Sequence, residues 1–396
     1  MALTRKQISQ IYRPQGPKAI SLGYPFTAAG ANILISNAQV DLSVPLEGLR
    51  LIIKLRDVIA VAGMTTPSPL GYLNMLSRIL ITGKNSRAGG NVTLLDMDLA
   101  TLVLIQASVQ HKPFFYNGVS ILGAPLAGSE VAKEQPSTPI ANFFTGAVGT
   151  YDIRLAVDIP FFPPEAAPFT RVGYLVRAQE WADSVQIRIT TPAIANGATH
   201  ALGVDAAGTT HVFTAFGSAA GSPTVDIYGL PVIMGVDLDA VHAPGFLTRI
   251  ATPIAAVLQA AGGPNTRLAI LEKKDTTRVW TIVGTSAVNP SMITFSDVNL
   301  STLGMIIAGN KIVRENDDVF AHKMDQTRRY GTQPIQGLTM FDFVPSGNPD
   351  AGYDSGSAGE GTILELRGTV AGVANALGII VQETEQYAPG GPLYAA

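Results

Sequence analysis

Apolar and polar positions alternate in short runs along most of this chain. The cleanest run is Tyr151-Asp152-Ile153-Arg154-Leu155-Ala156-Val157-Asp158-Ile159. It sets Ile153, Leu155 and Val157 on one face and Asp152, Arg154 and Asp158 on the other, the period of a half-buried strand. Pro160 and Pro163-Pro164 end it. Similar runs predict strands at 19–26, 32–36, 49–62, 78–82, 173–177, 185–190, 210–216, 224–234, 267–272, 278–283, 291–295, 305–307, 338–344, 362–367 and 376–382. Helical signals are few, at 5–12, 68–75, 95–109, 253–261 and 315–328. Asp96 and Asp98 open the 95–109 helix, and His111 and Lys112 follow it; Asp317 and Asp318 open the 315–328 helix, and Arg328-Arg329 close it. Both polarities suit the helix dipole. Residues 114–148 read as loop.

The order of these elements repeats. Strand, helix, strand and two closing strands run from Ile79 to Ile189 and again from Gly304 to Glu383. The match is of pattern, not identity, and a period this long means duplication of a domain. The small-residue segment 191–208 places the boundary near 191–199. Many short strands in two similar halves predict an all-β fold of two tandem eight-stranded antiparallel jelly rolls, a double jelly roll with a few short helices. The expected segments are a basic arm (1–17), a first jelly roll (18–195), a second (196–387) and a tail (388–396).

Composition sharpens this picture. Charged residues make up 14% of the 396, against about 25% in an ordinary soluble domain. A chain so poor in charge is expected to hide surface against other subunits. Its apolar runs fall short of the roughly 18–20 residues of a spanning helix, and the N-terminus shows no signal-peptide core. With no Cys, disulfides and thiol chemistry are excluded. Arg5, Lys6, Arg13 and Lys18 all precede the first acid, Asp41. This basic arm reads as a frayed solvated end, or as a segment that lies on an anionic partner or under a neighbouring subunit.

Catalytic patterns are missing. His111, His200, His211, His242 and His322 form no metal-binding spacing; His111 and His322 read as charges at helix C-termini. Ser355 in Gly352-Tyr353-Asp354-Ser355-Gly356 is one residue out of a nucleophile elbow, and no helix follows the Gly-rich 356–361. Asp350, Asp354 and Glu360 share a turn that could hold calcium but reads as a polar loop. Asp152 and Asp158 read as the wet face of a strand; a glycosidase could also use two carboxylates on one sheet face. No catalytic, cofactor or metal site is expected, and the chain reads as a non-enzyme.

Met340-Phe341-Asp342-Phe343 precedes the second closing pair, and Asp158-Ile159-Pro160-Phe161-Phe162 lies ahead of Val172-Gly173-Tyr174-Leu175 in the first half. Set in the duplicated module, these resemble the double jelly-roll major capsid proteins of tailless icosahedral viruses, including tectivirus-like bacteriophages with an internal membrane. The resemblance implies a homotrimer with a pseudo-hexagonal outline, packed against neighbouring capsomers, penton and minor capsid proteins in a virion assembled in host cytoplasm. It turns the arm (Arg5, Lys6, Arg13, Lys18) inward, toward membrane lipid or genome, and implies no small-molecule substrate. Phe341, Asp342 and Phe343 then read as wall and interface residues. Two other readings stay open: a jelly-roll glycan hydrolase built on Asp152 and Asp158, and a receptor- or carbohydrate-binding spike using Phe161, Phe162 and Tyr353.

Overall fold

A computed structural model describes residues 12–25, 34–59, 64–67, 73, 76–85, 90–109, 115–121, 124–130, 149–164, 166, 171–178, 181–190, 201–205, 210–212, 224–234, 245–260, 263–272, 275–285, 294–307, 311–331, 334–344, 353–354, 364–374 and 376–387. The first part of the chain forms β1 (Tyr12–Pro14), β2 (Lys18–Pro25), β3 (Leu34–Val40), β4 (Leu46–Ile59) and β5 (Met64–Pro67). A hairpin of β6 (Arg78–Asn85) and β7 (Gly90–Met97) leads into helix α1 (Leu99–Val109). Then come β8 (Phe115–Ile121), β9 (Ala124–Glu130), β10 (Gly149–Pro160), β11 (Trp181–Thr190), β12 (Ala201–Asp205), β13 (Thr210–Val212) and β14 (Thr224–Met234).

The rest forms β15 (Gly245–Pro253), the short α2 (Ala255–Gln259), β16 (Thr266–Ile270), β17 (Asp275–Thr285) and β18 (Thr294–Phe295). A second hairpin, β19 (Leu300–Ile307) and β20 (Lys311–Asp318), leads into α3 (Val319–Tyr330). The chain closes through β21 (Leu338–Asp342), β22 (Tyr353–Asp354), β23 (Leu364–Val370) and β24 (Ala376–Tyr387).

The later half is a jelly roll by its pairing. Its first and last strands, β15 and β24, lie side by side, as do β16 and β23, β17 and β21, and β19 and β20. This is a long hairpin rolled into two facing sheets. The earlier half shares the two outer pairs, β3 with β11 and β4 with β10. Its four inner strands instead close as local hairpins, β6 with β7 and β8 with β9. Strand alternation explains the register: Leu49, Leu51 and Ile53 of β4 are buried, each opposite a buried apolar residue of β10 (Ile159, Val157 and Leu155).

One sheet runs through both halves in the order β3-β11-β6-β7-β15-β24-β17, with β18, β21 and β22 also on β17. The seam is a short parallel contact, Arg249 opposite Leu95 and Ile250 opposite Asp96. β17 in this sheet is buried on both faces. Val279 and Val283 enter the second sandwich core, while Trp280 and Ile282 join the core of the first.

Several elements depart from the sequence reading. Residues 90–97 and 311–318 extend the hairpins as strands, so both helices start later than the acid pattern suggested. Asp98 and Asp318 are then N-caps: Asp98 accepts from the Thr101 amide (2.6 Å) and Asp318 from the Phe320 amide (2.7 Å). The stretch read as loop, 114–148, holds β8 and β9. Instead of a strand at 173–177 there is a 3₁₀ turn, Val172–Tyr174, and a single bridge from Val176 to Leu46. Tyr12, read as the end of a helix, is in β1; 5–11 lie outside the described residues. Of the helix read at 253–261, α2 keeps five residues, and Ile254, not Thr252, stands at its N-cap. Finally β14, which a division at 195/196 assigns to the second half, pairs with β1, β2 and β4 of the first.

Candidate assembly surfaces

Helix α1 is apolar on every side, and all eleven of its residues are buried. A helix of this kind belongs inside a core, and α1 packs between the first sandwich and the outer face of the shared sheet. Several of its polar groups make hydrogen bonds there. Gln106 Nε2 donates to the Asp158 carbonyl (2.8 Å), and Ser108 Oγ donates to the Ile105 carbonyl (2.7 Å). Trp280 Nε1 on β17 donates to Ser108 Oγ (3.0 Å), and Gln326 Nε2 on α3 donates to the Ser108 carbonyl (2.7 Å).

Beside this apolar joint lies a charged one. Glu383 on β24 is fully buried and accepts from Arg249 Nε (2.7 Å), Arg278 Nη1 (2.8 Å) and Thr277 Oγ1 (2.9 Å). Burial alone would raise its pKa, but the two guanidiniums outweigh that and hold the carboxyl below its ordinary 4.5. Arg249 also donates to the carbonyls of Pro160 (3.0 Å) and Phe162 (3.2 Å), and Tyr174 Oη donates to Glu385 Oε1 (2.5 Å). Second-half strands thus hold the segment that follows β10 in the first half. Asp342 completes the knot. It accepts from Tyr330 Oη (2.6 Å) and stands 3.5 Å from Arg278. Burial first, then the Asp342 carboxylate, pushes the Tyr330 phenol up to about 12. Phe341 and Asp342, read from sequence as wall and interface residues, are wall: Phe341 sits in the second core and Asp342 in this knot, with Phe343 packed against that core.

Helix α3 is amphipathic. Val319, His322, Lys323 and Gln326 face inward, and Gly331 in left-handed conformation (φ 64°) ends it, its amide on the Thr327 carbonyl (2.8 Å). His322 is therefore not a C-terminal charge. It lies in the first turns, buried, with Nε2 2.8 Å from the Leu303 carbonyl and its ring edge-on to Phe341. Lys323 Nζ binds both Asp297 oxygens (2.6 and 2.7 Å), fixing the turn before β19 against the helix. The outer face carries Phe320 (64% exposed) and Met324 (70%), and Val298 (70%) follows Asp297 in that turn. Leu22, Ile233 and Ile270 are the other large exposed apolar side chains among the described residues.

Of the basic arm, Arg5 and Lys6 lie outside the described residues. Arg13 is exposed on β1, opposite Ile233. Lys18 binds Asp41 (2.9 Å) and Ser43 Oγ (3.2 Å). What sequence reasoning missed is the anchor between them. Tyr12 is buried, its hydroxyl on Glu47 Oε2, and Arg171 stands 3.9 Å from the same oxygen. A lone Tyr beside two prolines gives no sequence signal of this.

The candidate chemistry does not come together. Asp152 and Asp158 are six residues apart on β10, about 20 Å at strand rise, well beyond the roughly 5–9.5 Å of a glycosidase pair. Asp158 is held bidentate by Arg50 (2.5 and 2.7 Å), its cross-strand partner. Phe161 and Phe162, the candidate spike aromatics, are buried, and Arg171 stacks over Phe162 (4.3 Å). Trp181 and Trp280 are core residues. The side chains of Tyr353, Asp350, Asp354 and Glu360, and of the other four His, lie outside the described residues. Among the described residues no three His, Asp or Glu cluster as metal ligands, and no helix is long and apolar enough to cross a membrane.

No protein-family model and no curated protein matches the chain. Solved structures do. It is similar to the STIV major capsid protein, with a TM-score of 0.56 and 13% identity over 96% of this chain and 97% of that one. A capsid model of the virus PBCV-1 gives 0.54 and 11% over 97% and 96%. The Faustovirus major capsid protein gives 0.52 and 9% over 95% and 90%. Identities this low speak to fold alone, and the fold is that of the double jelly-roll capsid proteins across nearly the whole chain.

Proposed function

We propose that this chain is the major capsid protein of an icosahedral virus, a structural subunit that trimerises into pseudo-hexagonal capsomers. The observation that carries the reading is the joint between the halves. Two jelly rolls share one sheet, one sealed helix and one buried ion knot, so the chain behaves as a single double-width brick. A shell tile needs that stiffness; a hinged enzyme or a modular binder does not. The similarity of the whole chain to capsid structures of several viruses supports the same reading, as does the low charge.

In this reading the first jelly roll extends through β14, and the division falls within 235–244. The arm contributes through Arg5, Lys6 and Arg13, facing lipid, genome or a neighbouring capsomer, while Lys18 stays on Asp41. Minor capsid and penton proteins are the other partners, and assembly takes place in host cytoplasm. The test is sedimentation and electron microscopy of the purified protein. Trimers with a six-lobed outline are expected; a monodisperse monomer over a broad concentration range would overturn the proposal.

A further inference from the structure

The outer face of α3 reads, in chain order, acidic, apolar, apolar, basic. Asp317 and Asp318 lie at its start, Phe320 with Ala321 and then Met324 follow, and Arg328 lies at its end, all exposed. Within the helix Phe320, Ala321, Met324 and Arg328 recur at three and four residues and form one stripe, and the two acids end the strand that leads into it. Such a stripe is self-complementary when reversed. An antiparallel copy sets Arg328 toward the Asp317–Asp318 end of β20 and Met324 against Ala321, with Phe320 beside them.

We infer that α3 is a two-fold contact between two copies of this chain, with the helices antiparallel. An isologous patch of this kind must be its own complement, and the charge order meets that requirement. Among the described residues the stripe is also where exposed large apolar groups concentrate, since Val298 stands in the turn that the Lys323–Asp297 pair fixes to α3. From Phe320 to Arg328 the stripe spans about 12 Å of helix at 1.5 Å per residue. That is far less surface than the roughly 800 Å² per partner of a stable interface. The contact is therefore a weak one, formed between trimers and effective when repeated over a shell. It rests on the capsid reading for its biological role, but its geometry stands on this helix alone.

The chain has no Cys, so cross-linking can be placed cleanly. Ala321→Cys combined with Met324→Cys, mildly oxidised at high protein concentration, is expected to give covalent dimers and nothing larger. Arg328→Glu should weaken association of trimers about tenfold, from two charge pairs reversed per contact, and adding Asp317→Arg should restore it. Circular dichroism and sedimentation of each variant confirm that fold and trimer are intact. A covalent ladder of trimers and above, no covalent product, or an Arg328→Glu protein that associates like the parent would each overturn the inference. A parent protein that makes no trimers, alongside an Ala321→Cys/Met324→Cys variant that gives the covalent dimers, would sink the capsid reading and leave the α3 contact standing.

Discussion

In the second half the nesting of strands runs all the way in, β17 on β21 and β19 on β20. In the first it stops after two pairs, and the inner strands fold back as hairpins. Each half carries a strand hairpin that ends in an Asp-capped helix, but the hairpins lie in different sheets. β6–β7 belongs to the sheet that both halves share, and β19–β20 to the four-stranded sheet opposite. The helices differ accordingly. α1 has nowhere to go but inward and is apolar all round, whereas α3 keeps one face to the outside and carries charge at both ends. Two copies of one local motif have thus taken two jobs, a bolt and an outer surface. What separates them is which residues surround each helix, since the capping chemistry is common to both.

That contrast can be broken at several points. The largest effect is expected at the charged joint. Glu383→Gln leaves Arg249 and Arg278 buried with a neutral partner, and unfolding in urea should show a loss of about 3–5 kcal/mol. The same joint sets an acid limit. A carboxyl whose folded pKa is depressed contributes its full stability above the unfolded 4.5 and loses it as pH falls through the lower folded value. Parent stability should therefore drop between about pH 4.5 and the acid extreme, and the Glu383→Gln protein should lose less over that range. Next comes the bolt: Leu102→Ala in α1 should cost about 2–5 kcal/mol, because Leu102 is wholly enclosed. At the shared feature, Asp318→Ala should cost about 1 kcal/mol through loss of the cap. The smallest effect on folding belongs to the outer face. Met324→Ser should stay within about 0.5 kcal/mol of the parent. An equal loss from Met324→Ser and Leu102→Ala would erase the distinction between bolt and surface.

The sequence carried the fold class and the existence of a duplication, because strand alternation is a local signal and both capped hairpins repeat it. It did not carry the equivalence between halves. Aligning on the helices matched β6 with β19 and β10 with β21, and these lie in different places; sheet membership is decided by long-range pairing that no local window contains. The helix starts were misplaced for a related reason. Acids before a helix look alike whether they occupy its first turn or cap it, and only the hydrogen bonds of Asp98 and Asp318 distinguish the two. The charged joint was invisible as well. Arg249, Arg278 and Glu383 sit on three strands, and Glu383 is separated from the arginines by more than a hundred residues. Phe161 and Phe162 showed the opposite failure: two adjacent aromatics after a proline-ended strand suggested an exposed tip, and tertiary packing closed over both.

The placement of β14 has a consequence for how the chain is made. β1 and β2 take their pairing from β14, with Tyr12 opposite Met234. At about 5–20 residues per second of synthesis, the N-terminal strands wait roughly 10–45 s for their partner to leave the ribosome. Over that interval the edge of β4 that β14 will cover is open. The sheet that holds β4 and β10 cannot be completed before more than half the chain exists, so it does not mature as a unit of the first half alone. A chain truncated before β14 is therefore expected to yield no stable first sandwich.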